Sequence, residues 1–373
     1  MRPLPRICLL VTIDLALVAL ALEVIPRVVP VPGLQQSDLM PVDAEGSRLG
    51  KQPHPYLSFA PSPNWTTTRR NRQAKHNAHG LRGPEVSLRK PARVFRVACL
   101  GGSSTYGTGP RSDKATYPAR LQQHLRRVGT RAEVLNFGVP GWTTTESLIN
   151  LSLRVIAFEP DLLIVYHATN DALAALWPNP TPDLTHFRTP WTQPRTSSLE
   201  RTLERSRLFL IARAYLTDYL KETTDQARYM IVNQPPSLEE DDLDRVAPPQ
   251  GIENFTRNLR HMVAIARAEG IPIVLASQGF NPAEGKGSNV NSGQVRFRTQ
   301  RRLLEAQATL AGELGVPLID AAAQLEAVAR AELEASGTQK IFANNVHLTN
   351  HGANLLAQLI AESEELAELL PGR

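Results

Sequence analysis

Short apolar runs alternate with amphipathic stretches along most of the chain. The apolar runs are rich in branched residues and have the length of buried strands. They are Val94–Leu100, Glu133–Phe137, Leu162–Tyr166, Pro272–Ala276 and Pro317–Ile319. The stretches with apolar residues at helical spacing are Tyr117–Arg127, Glu146–Ala157, Phe255–Ala268, Arg301–Leu314 and Gly352–Leu369. Strands separated by helices pair in parallel through right-handed crossovers. The pattern therefore predicts an α/β fold, a three-layer helix-sheet-helix sandwich with a mainly five-stranded parallel sheet.

One long insertion, at about residues 178–250, interrupts this alternation between the third and fourth predicted strands. It opens with a stretch rich in Pro and Thr, continues with an amphipathic helix predicted at Leu199–Leu220, and has an acidic run before Pro248. Such an excursion can be a lid that shapes a substrate pocket. It can equally be a solvated elaboration of the surface, and the sequence leaves both interpretations open.

The amino terminus contains an apolar run, Ile7–Leu22, preceded by Arg2 and Arg6 and interrupted by Asp14. On an insertion scale, the Leu, Ile and Val residues of this run contribute about 3–6 kcal/mol, and a central Asp costs about 2.5–3.5 kcal/mol. Residues 1–27 are therefore predicted to be a transmembrane anchor that ends at Pro26, with a cleaved signal peptide as the alternative.

The basic residues before the run predict that the following chain lies outside the cytoplasm. We expect attachment to the inner membrane with the folded domain in the periplasm, or export. Residues 28–76 are rich in Pro and polar residues and are predicted to form an extended tether. Residues 77–373 then form the main domain.

Composition excludes some classes of protein. A chain of 373 residues with 42% hydrophobic content can bury a large core. The net charge is +5, but Arg and Lys are scattered among acidic residues, which argues against nucleic-acid binding. Cys8 and Cys99 lack the spacing of metal ligands and lie in different surroundings, so we expect neither a disulfide nor a zinc site.

The first predicted strand ends in a Gly-Gly turn that leads to Ser103. Glycines let the backbone turn sharply, and ligands of open α/β sheets bind at the carboxyl ends of strands. Ser103 is therefore a candidate nucleophile. Taken alone, however, this pattern is also typical of an ordinary strand-to-loop turn.

Three later stretches strengthen the candidate. Asn136–Thr144 contains Gly141, Tyr166–Asp171 contains Asn170, and Asn344–Thr349 contains His347. In order and content, these stretches and the Ser103 block resemble the four blocks of the SGNH, or GDSL-like, hydrolases. The resemblance runs from about residue 77 to the carboxyl terminus. The segment Asn77–Glu85 resembles membrane-anchored bacterial members.

The resemblance implies a flavodoxin-like sheet with the four blocks at one rim, and a role for each residue. Ser103 would be the nucleophile and His347 its base. The backbone N–H groups of Ser103 and Gly141 and the side-chain amide of Asn170 would form the oxyanion hole. No metal or organic cofactor is needed. The alternatives are a loop histidine at 347, a plain Pro-Gly turn at 141 and a helix N-cap at 170.

Three positions depart from the usual family pattern. Gly102 stands where the Ser block normally has an Asp, and Ala168 stands where a Gly normally precedes Thr-Asn-Asp. Neither change removes a catalytic group. Asn344 stands three residues before His347, where the family normally has an Asp.

Asn344 is expected to weaken catalysis. In a serine protease, an Asp-to-Asn change at the orienting position lowers turnover about 10⁴-fold because the wrong histidine tautomer is favoured. This corresponds to about 5–6 kcal/mol. Two arrangements would avoid the loss: the side-chain carbonyl of Asn344 accepts from His347 Nδ1–H, or a backbone carbonyl does. Asp171 and Asp320 are other carboxylates, for which we predict structural roles.

These features predict a serine esterase or acylhydrolase, for example a deacetylase, with Ser103, His347 and Asn344 at the catalytic site. The expected partners are an acylated glycan, lipid or small molecule of the envelope as substrate, and the membrane through the amino-terminal segment. An O-acyltransferase using the same site is one alternative. A non-catalytic glycan-binding protein, prompted by Asn344, is the other.

Overall fold

A computed structural model describes residues 3–29, 31–32, 50–52, 54–69, 72–177, 179–187, 198–203, 205–220, 249–283 and 290–371 of the chain. The strands in this part of the chain are β1 (Lys51–Gln52), β2 (Ala60–Pro61), β3 (Thr66–Arg69), β4 (Arg72–Lys75), β5 (Phe95–Gly101), β6 (Ala132–Gly138), β7 (Leu162–His167), β8 (Ile273–Ser277) and β9 (Leu318–Ile319).

The helices of the described residues lie before, between and after these strands. They are α1 (Pro3–Val28), α2 (Ser103–Tyr106), α3 (Tyr117–Arg127), α4 (Thr144–Asn150), α5 (Thr169–Ala175), α6 (Ser198–Leu203), α7 (Arg207–Leu220), α8 (Pro249–Ala268), α9 (Val290–Leu314), α10 (Ala321–Ser336), α11 (Asn350–Glu362) and α12 (Glu364–Ala367).

Strands β5 to β9 form the central sheet in the order β6-β5-β7-β8-β9, and every neighbouring pair is parallel. Helices cover both faces. Along β5, Ala98 and Leu100 belong to the apolar cluster that contains residues of α8 and α9. Val97 and Cys99 belong to the cluster that contains residues of α3, α10 and α11. Successive side chains of a strand point to opposite faces, and the predicted three-layer α/β fold is confirmed.

The predicted elements and the observed ones differ mainly at their ends. The predicted helix Glu146–Ala157 begins earlier, because Thr143 and Glu146 form a capping box at the start of α4. It continues as a π-helical turn over Leu151–Val155 and a 3-10 turn over Ile156–Phe158. Helix α10 was not predicted from the sequence. Asp320 caps it by accepting a hydrogen bond from the backbone N–H of Ala323, which is a structural role as predicted.

The predicted amphipathic helix Leu199–Leu220 is divided into α6 and α7. The division lies beside Glu23 of α1, whose carboxylate accepts hydrogen bonds from the backbone N–H groups of Arg207 and Leu208 and from the Ser206 hydroxyl. A carboxylate at this position satisfies donors that the first turn of a helix leaves without partners. The acidic run of the insertion lies outside the described residues.

Helix α1 continues through Pro26 to Val28 rather than ending at Pro26 as predicted. A proline this close to the end of a helix removes few hydrogen bonds, and the backbone N–H of Val29 still donates to Ile25 O. Within the described residues, no helix reaches both the length and the hydropathy of a membrane span. The transmembrane anchor predicted for residues 1–27 is therefore not supported.

Part of the segment predicted as an extended tether is β-structure. Strands β1 and β2 pair antiparallel, and so do β3 and β4. Leu57, Phe59 and Ala60 are buried in a cluster with Val139 and Trp142. The Trp142 indole N–H also donates to Phe59 O at 3.2 Å. These residues therefore pack against the loop after β6, which contains Gly141.

Candidate active site

Ser103 is the first residue of α2 and is separated from the end of β5 by Gly102 alone. The turn requires small residues. A Cβ on Gly101 would lie 1.9 Å from Thr105 Oγ1, and a Cβ on Gly102 would lie 2.8 Å from Asn170 Nδ2. A Cβ on Gly101 would also lie 2.7 Å from Tyr166 O, a backbone atom. At 102, an Asp position in the family pattern, the Asn170 side-chain amide would have to move to admit a Cβ.

Ser103 and His347 are neighbours in the fold although 244 positions separate them in the sequence. His347 Nε2 lies 2.7 Å from Ser103 Oγ, which is hydrogen-bond distance. The histidine lies in the loop before α11, and Thr349 caps that helix by accepting from the backbone N–H of Gly352. The predicted pairing of hydroxyl and imidazole is therefore present in the structure.

Asn344 contacts the other nitrogen of the same ring. Its Oδ1 accepts hydrogen bonds from the backbone N–H groups of Val346 at 3.2 Å and His347 at 3.0 Å. Its Nδ2 lies 2.9 Å from His347 Nδ1. Because two backbone donors fix the position of the amide oxygen, the amide nitrogen is the atom that faces the ring.

This orientation determines the histidine tautomer. An amide nitrogen only donates, so His347 Nδ1 accepts and the ring proton lies on Nε2. That proton faces Ser103 Oγ, whereas a general base needs an unprotonated Nε2 at this point. The sequence allowed an arrangement in which the side-chain carbonyl of Asn344 accepts from His347 Nδ1–H. The structure does not have it, because that carbonyl accepts from backbone N–H groups instead.

The two remaining oxyanion candidates belong to segments that approach the Ser103 turn: a Cβ on Gly102 would lie 2.8 Å from Asn170 Nδ2 and 3.2 Å from the carbonyl oxygen of Trp142, which follows Gly141. Gly141 has a φ of 91°, a left-handed conformation that favours glycine. Asn170 Nδ2 donates to Trp142 O at 2.8 Å, so the amide is held against the residue that follows Gly141. An amide nitrogen carries two hydrogens, and this bond uses one of them. Asn170 is within α5 and does not cap it, because the N-cap position is Ala168.

Buried polar side chains support these loops from beneath. Asp171 Oδ1 accepts from both the backbone N–H and the hydroxyl of Thr144, at 3.0 and 2.6 Å, and so fixes the start of α4. This is the structural role predicted for Asp171. His167 Nε2 lies 2.7 Å from the Ser147 hydroxyl, and burial lowers the pKa of His167 to about 3. His167 is therefore neutral at pH 7.

A hydrogen-bond network that sequence reasoning missed connects the serine helix to the histidine loop. Ser104 Oγ donates to Val346 O at 3.0 Å and accepts from Gln278 Nε2 at 3.0 Å. Gln278 Oε1 in turn accepts from the backbone N–H of Thr169. The network thus joins the residues next to Ser103, His347 and Asn170. The only signal in the sequence is the position of these polar residues directly beside the recognised motifs.

Arg82 was also missed as part of the site. Its buried guanidinium donates to Asp113 Oδ1 at 2.7 Å and to the backbone carbonyls of Gln73, Tyr106 and Gly107. It therefore ties the β3–β4 pair to the end of α2. His79, in the same motif, contacts Val86 O and the Phe158 ring, in agreement with the structural role predicted for it.

Comparison with known proteins gives one family match. The GDSL-like lipase/acylhydrolase family matches residues 99–355, a span that includes every candidate site residue. No curated protein matches the chain.

Several solved structures resemble the chain at low identity. The lipase/acylhydrolase from Enterococcus faecalis is 17% identical, with a TM-score of 0.43, over 74% of this chain and 98% of that one. A member of the lipolytic protein G-D-S-L family from Veillonella parvula is 13% identical, with a TM-score of 0.40, over 72% and 97%. The acetyl xylan esterase AlAXEase is 14% identical, with a TM-score of 0.41, over 71% and 97%. At these values no residue role or substrate is transferred from them.

Proposed function

We propose that this chain, which belongs to the GDSL-like lipase/acylhydrolase family, is a serine hydrolase that cleaves carboxylic esters. The observation that carries the proposal is the 2.7 Å contact between Ser103 Oγ and His347 Nε2. A serine hydroxyl is a weak nucleophile until a neighbouring base accepts its proton. The pairing supplies that base at the carboxyl end of the central sheet, where open α/β folds bind their ligands.

The reaction proceeds through an acyl-enzyme. Ser103 Oγ attacks the ester carbonyl, and its proton passes to His347 Nε2. The N–H groups of Ser103 and Gly141 and the Asn170 amide stabilise the oxyanion; removing one such donor typically lowers kcat by about 10²–10³. The C–O bond to the alcohol then breaks, and the alkoxide takes the proton from His347. Water attacks the acyl-enzyme by the same steps in reverse and releases the carboxylic acid.

Catalysis by this site is slow because of the Asn344 amide. Its contact with His347 Nδ1 favours the tautomer with the proton on Nε2. Before each turnover the ring must therefore change to the tautomer that has its proton on Nδ1. No carboxylate at position 344 stabilises the imidazolium that forms when Nε2 then accepts the serine proton. The corresponding loss in a serine protease is about 10⁴-fold in kcat.

The test is hydrolysis of p-nitrophenyl acetate by the parent protein and by Ser103→Ala. Removing the nucleophile of a serine hydrolase lowers kcat by about 10⁶. Since about 10⁴ of this is already lost through the asparagine, we expect Ser103→Ala to lower the rate by about 10²-fold. Ser87→Ala, an exposed serine whose hydroxyl bonds only to Arg89 O among the contacts described, is the matched control and should retain the parent rate.

A second candidate is favoured by the same Asn344 contact: a protein that binds an acylated envelope glycan without hydrolysing it. In that case the parent and Ser103→Ala have equal background rates. Both then bind an O-acetylated sugar with the same affinity in a calorimetric titration. The esterase proposal is refuted by that pair of results. The acyl group, the envelope glycan, lipid or small ester that carries it, and the extracytoplasmic location remain sequence-based predictions.

A further inference from the structure

A cavity of about 320 Å³ lies between the amino-terminal strand pairs and two loops of the candidate active site. Trp65 and Ala74, from the β3–β4 region, line one side. Thr108 and Pro140, which belong to loops after α2 and β6, also line the cavity. The described residues between 50 and 76 thus supply one part of the lining, and loops of the central domain supply the rest.

The cavity adjoins the reacting groups. The backbone N–H of Thr108 donates to Ser103 O at 3.0 Å, so this wall lies one helical turn from the nucleophile. Pro140 directly precedes Gly141, which is an oxyanion candidate. A substrate bound with its carbonyl between Ser103 and Gly141 thus has the cavity beside it.

The lining selects an uncharged and apolar group. Pro61, Trp65 and Val139 supply apolar surface. Among the described lining residues, Arg82 and Lys51 carry a positive charge. The Arg82 guanidinium binds a carboxylate and three backbone carbonyls, and the Lys51 ammonium lies 4.0 Å from the centroid of the Phe59 ring. His76 is occupied by Ser62 O and the Tyr106 hydroxyl, each at 2.9 Å, and burial lowers its pKa. These groups hold the walls together and have little capacity to bind a charged ligand.

The position of His347 decides which part of an ester enters the cavity. His347 must protonate the departing alkoxide, so the alcohol lies on the side of the loop that contains it. Among the described residues that line the cavity, none belongs to residues 341–350, whereas Val139 and Pro140 belong to the Gly141 loop. The lining residues Thr108 and Pro110 flank Gly109, which packs against the His347 loop, since a Cβ on Gly109 would lie 1.9 Å from Leu348 O. The cavity therefore borders the Gly141 loop directly and the His347 loop only across this segment, which favours the acyl group over the alcohol as its occupant.

We propose that this cavity is the acyl pocket and that it takes an aliphatic acyl chain of medium length. The proposal rests on the proposed esterase function. A volume of 320 Å³ holds about ten water molecules at about 30 Å³ each, which is room for a chain of about six to ten carbon atoms. The substrate class is therefore an ester of a medium-chain fatty acid, a larger acyl group than the acetyl expected from the sequence.

The first test measures kcat/KM for p-nitrophenyl esters from acetate to decanoate. Burial of a methylene is worth about fourfold, so we expect kcat/KM of the parent to rise by about that factor per added methylene up to the octanoate. Ala74→Phe fills the cavity and should abolish the rise, so that kcat/KM for the octanoate falls to about the value for the acetate. Ala78→Phe places the same side chain at an exposed alanine outside the cavity and should keep the parent profile.

Thr67→Phe provides a second filling substitution if Ala74→Phe does not fold. Thr67 pairs with Ala74 across β3 and β4 and lines the same cavity. A chain-length profile that both filling variants share with the parent overturns the proposal. A second result would also overturn it: the parent prefers octyl acetate to methyl acetate, and a filling variant loses this preference. The cavity would then bind the alcohol part of the ester.

A binding measurement separates this proposal from the proposed function. Titration calorimetry with N-methyl octanamide and N-methyl acetamide is carried out on Ser103→Ala, with and without Ala74→Phe. The acyl pocket is supported if the octanamide binds more tightly than the acetamide and if Ala74→Phe removes this difference. This holds even if no ester is hydrolysed. Equal binding of the two amides overturns the pocket, while Ser103-dependent acetate hydrolysis would leave the esterase function in place.

Discussion

Replacing Asn344 by Asp is expected to accelerate ester hydrolysis. The two side chains have the same shape, so one carboxylate oxygen keeps the hydrogen bonds from the backbone N–H groups of Val346 and His347. The other oxygen replaces the amide nitrogen that lies 2.9 Å from His347 Nδ1. A carboxylate only accepts, so the ring proton moves to Nδ1, and Nε2 becomes the acceptor for the Ser103 hydroxyl.

The size of the gain follows from the same geometry. A serine protease loses about 10⁴-fold in kcat on the reverse change, or about 5.5 kcal/mol at 1.36 kcal/mol per decade, and this is the upper bound here. Asn344 is exposed, so solvent weakens the part of the effect that comes from the negative charge. The tautomer effect remains. We therefore expect kcat to rise by about 10²–10⁴.

The assay is p-nitrophenyl acetate hydrolysis as a function of pH. The carboxylate also stabilises the imidazolium, so the acidic limb of the kcat profile should move to higher pH in Asn344→Asp. Asn350→Asp adds the same charge at the first residue of α11, three residues after His347, and can still accept from the backbone N–H of Arg111. It is the control and should leave both the rate and the profile unchanged.

Three results would refute the reasoning about the tautomer. The first is a folded Asn344→Asp protein with less than about threefold change in kcat, because about 10²-fold is the minimum expected from the serine-protease precedent. The second is an equal gain in Asn350→Asp, which would show a general charge effect. The third is a gain that persists in the double variant with Ser103→Ala.

Three further predictions concern the groups that hold the site. Arg82→Met should lower the free energy of unfolding in urea by about 3–5 kcal/mol, because it leaves the Asp113 charge and three carbonyls without their donor; exposed Arg89→Met should change it little. Gly141→Ala should lower the free energy of unfolding by about 1–2 kcal/mol, because alanine is strained at a φ of 91°. If the Gly141 N–H binds the oxyanion, kcat should fall by more than the loss of folded protein explains. The pKa of His167 is lowered by burial from 6.5 to about 3, so the unfolded state binds its proton first as the pH falls. The free energy of unfolding should therefore decline from pH 6.5 towards pH 3, by up to about 1.4 kcal/mol per pH unit more in the parent than in His167→Gln. Parallel plots of unfolding free energy against pH for the two proteins would contradict this.

Sequence reasoning located the site because the chemistry lies at the ends of strongly patterned strands. Ser103 follows β5 and Asn170 follows β7, and the order of the motifs was enough to pair Ser103 with His347. The orientation of Asn344 was not predictable, since it depends on how the backbone N–H groups of residues 346 and 347 turn back towards the side chain. The position was recognised, but its effect on the ring proton needed coordinates.

Other elements were missed for different physical reasons. Strands β1 to β4 contain two to four residues each, which is too short for an alternating pattern. Ala60 of β2 and the preceding Leu57 and Phe59 are buried by contacts with Val139 and Trp142, which lie far along the chain. Helix α10 buries mainly alanines, such as Ala321, Ala322 and Ala329, so its apolar face is weak in sequence. The predicted domain boundaries are not tested by these observations.

The two amino-terminal strand pairs are separate from the central sheet and contact the loops at its edge. The contacts include the bond from Arg82 to Gln73 O, the His76–Tyr106 hydrogen bond and the Phe59–Trp142 contact. One wall of the cavity is therefore built by a segment that lies before the family match, which begins at residue 99. Grafting residues 50–76 from one relative onto another would then transplant chain-length selectivity and leave the chemical step of the recipient intact.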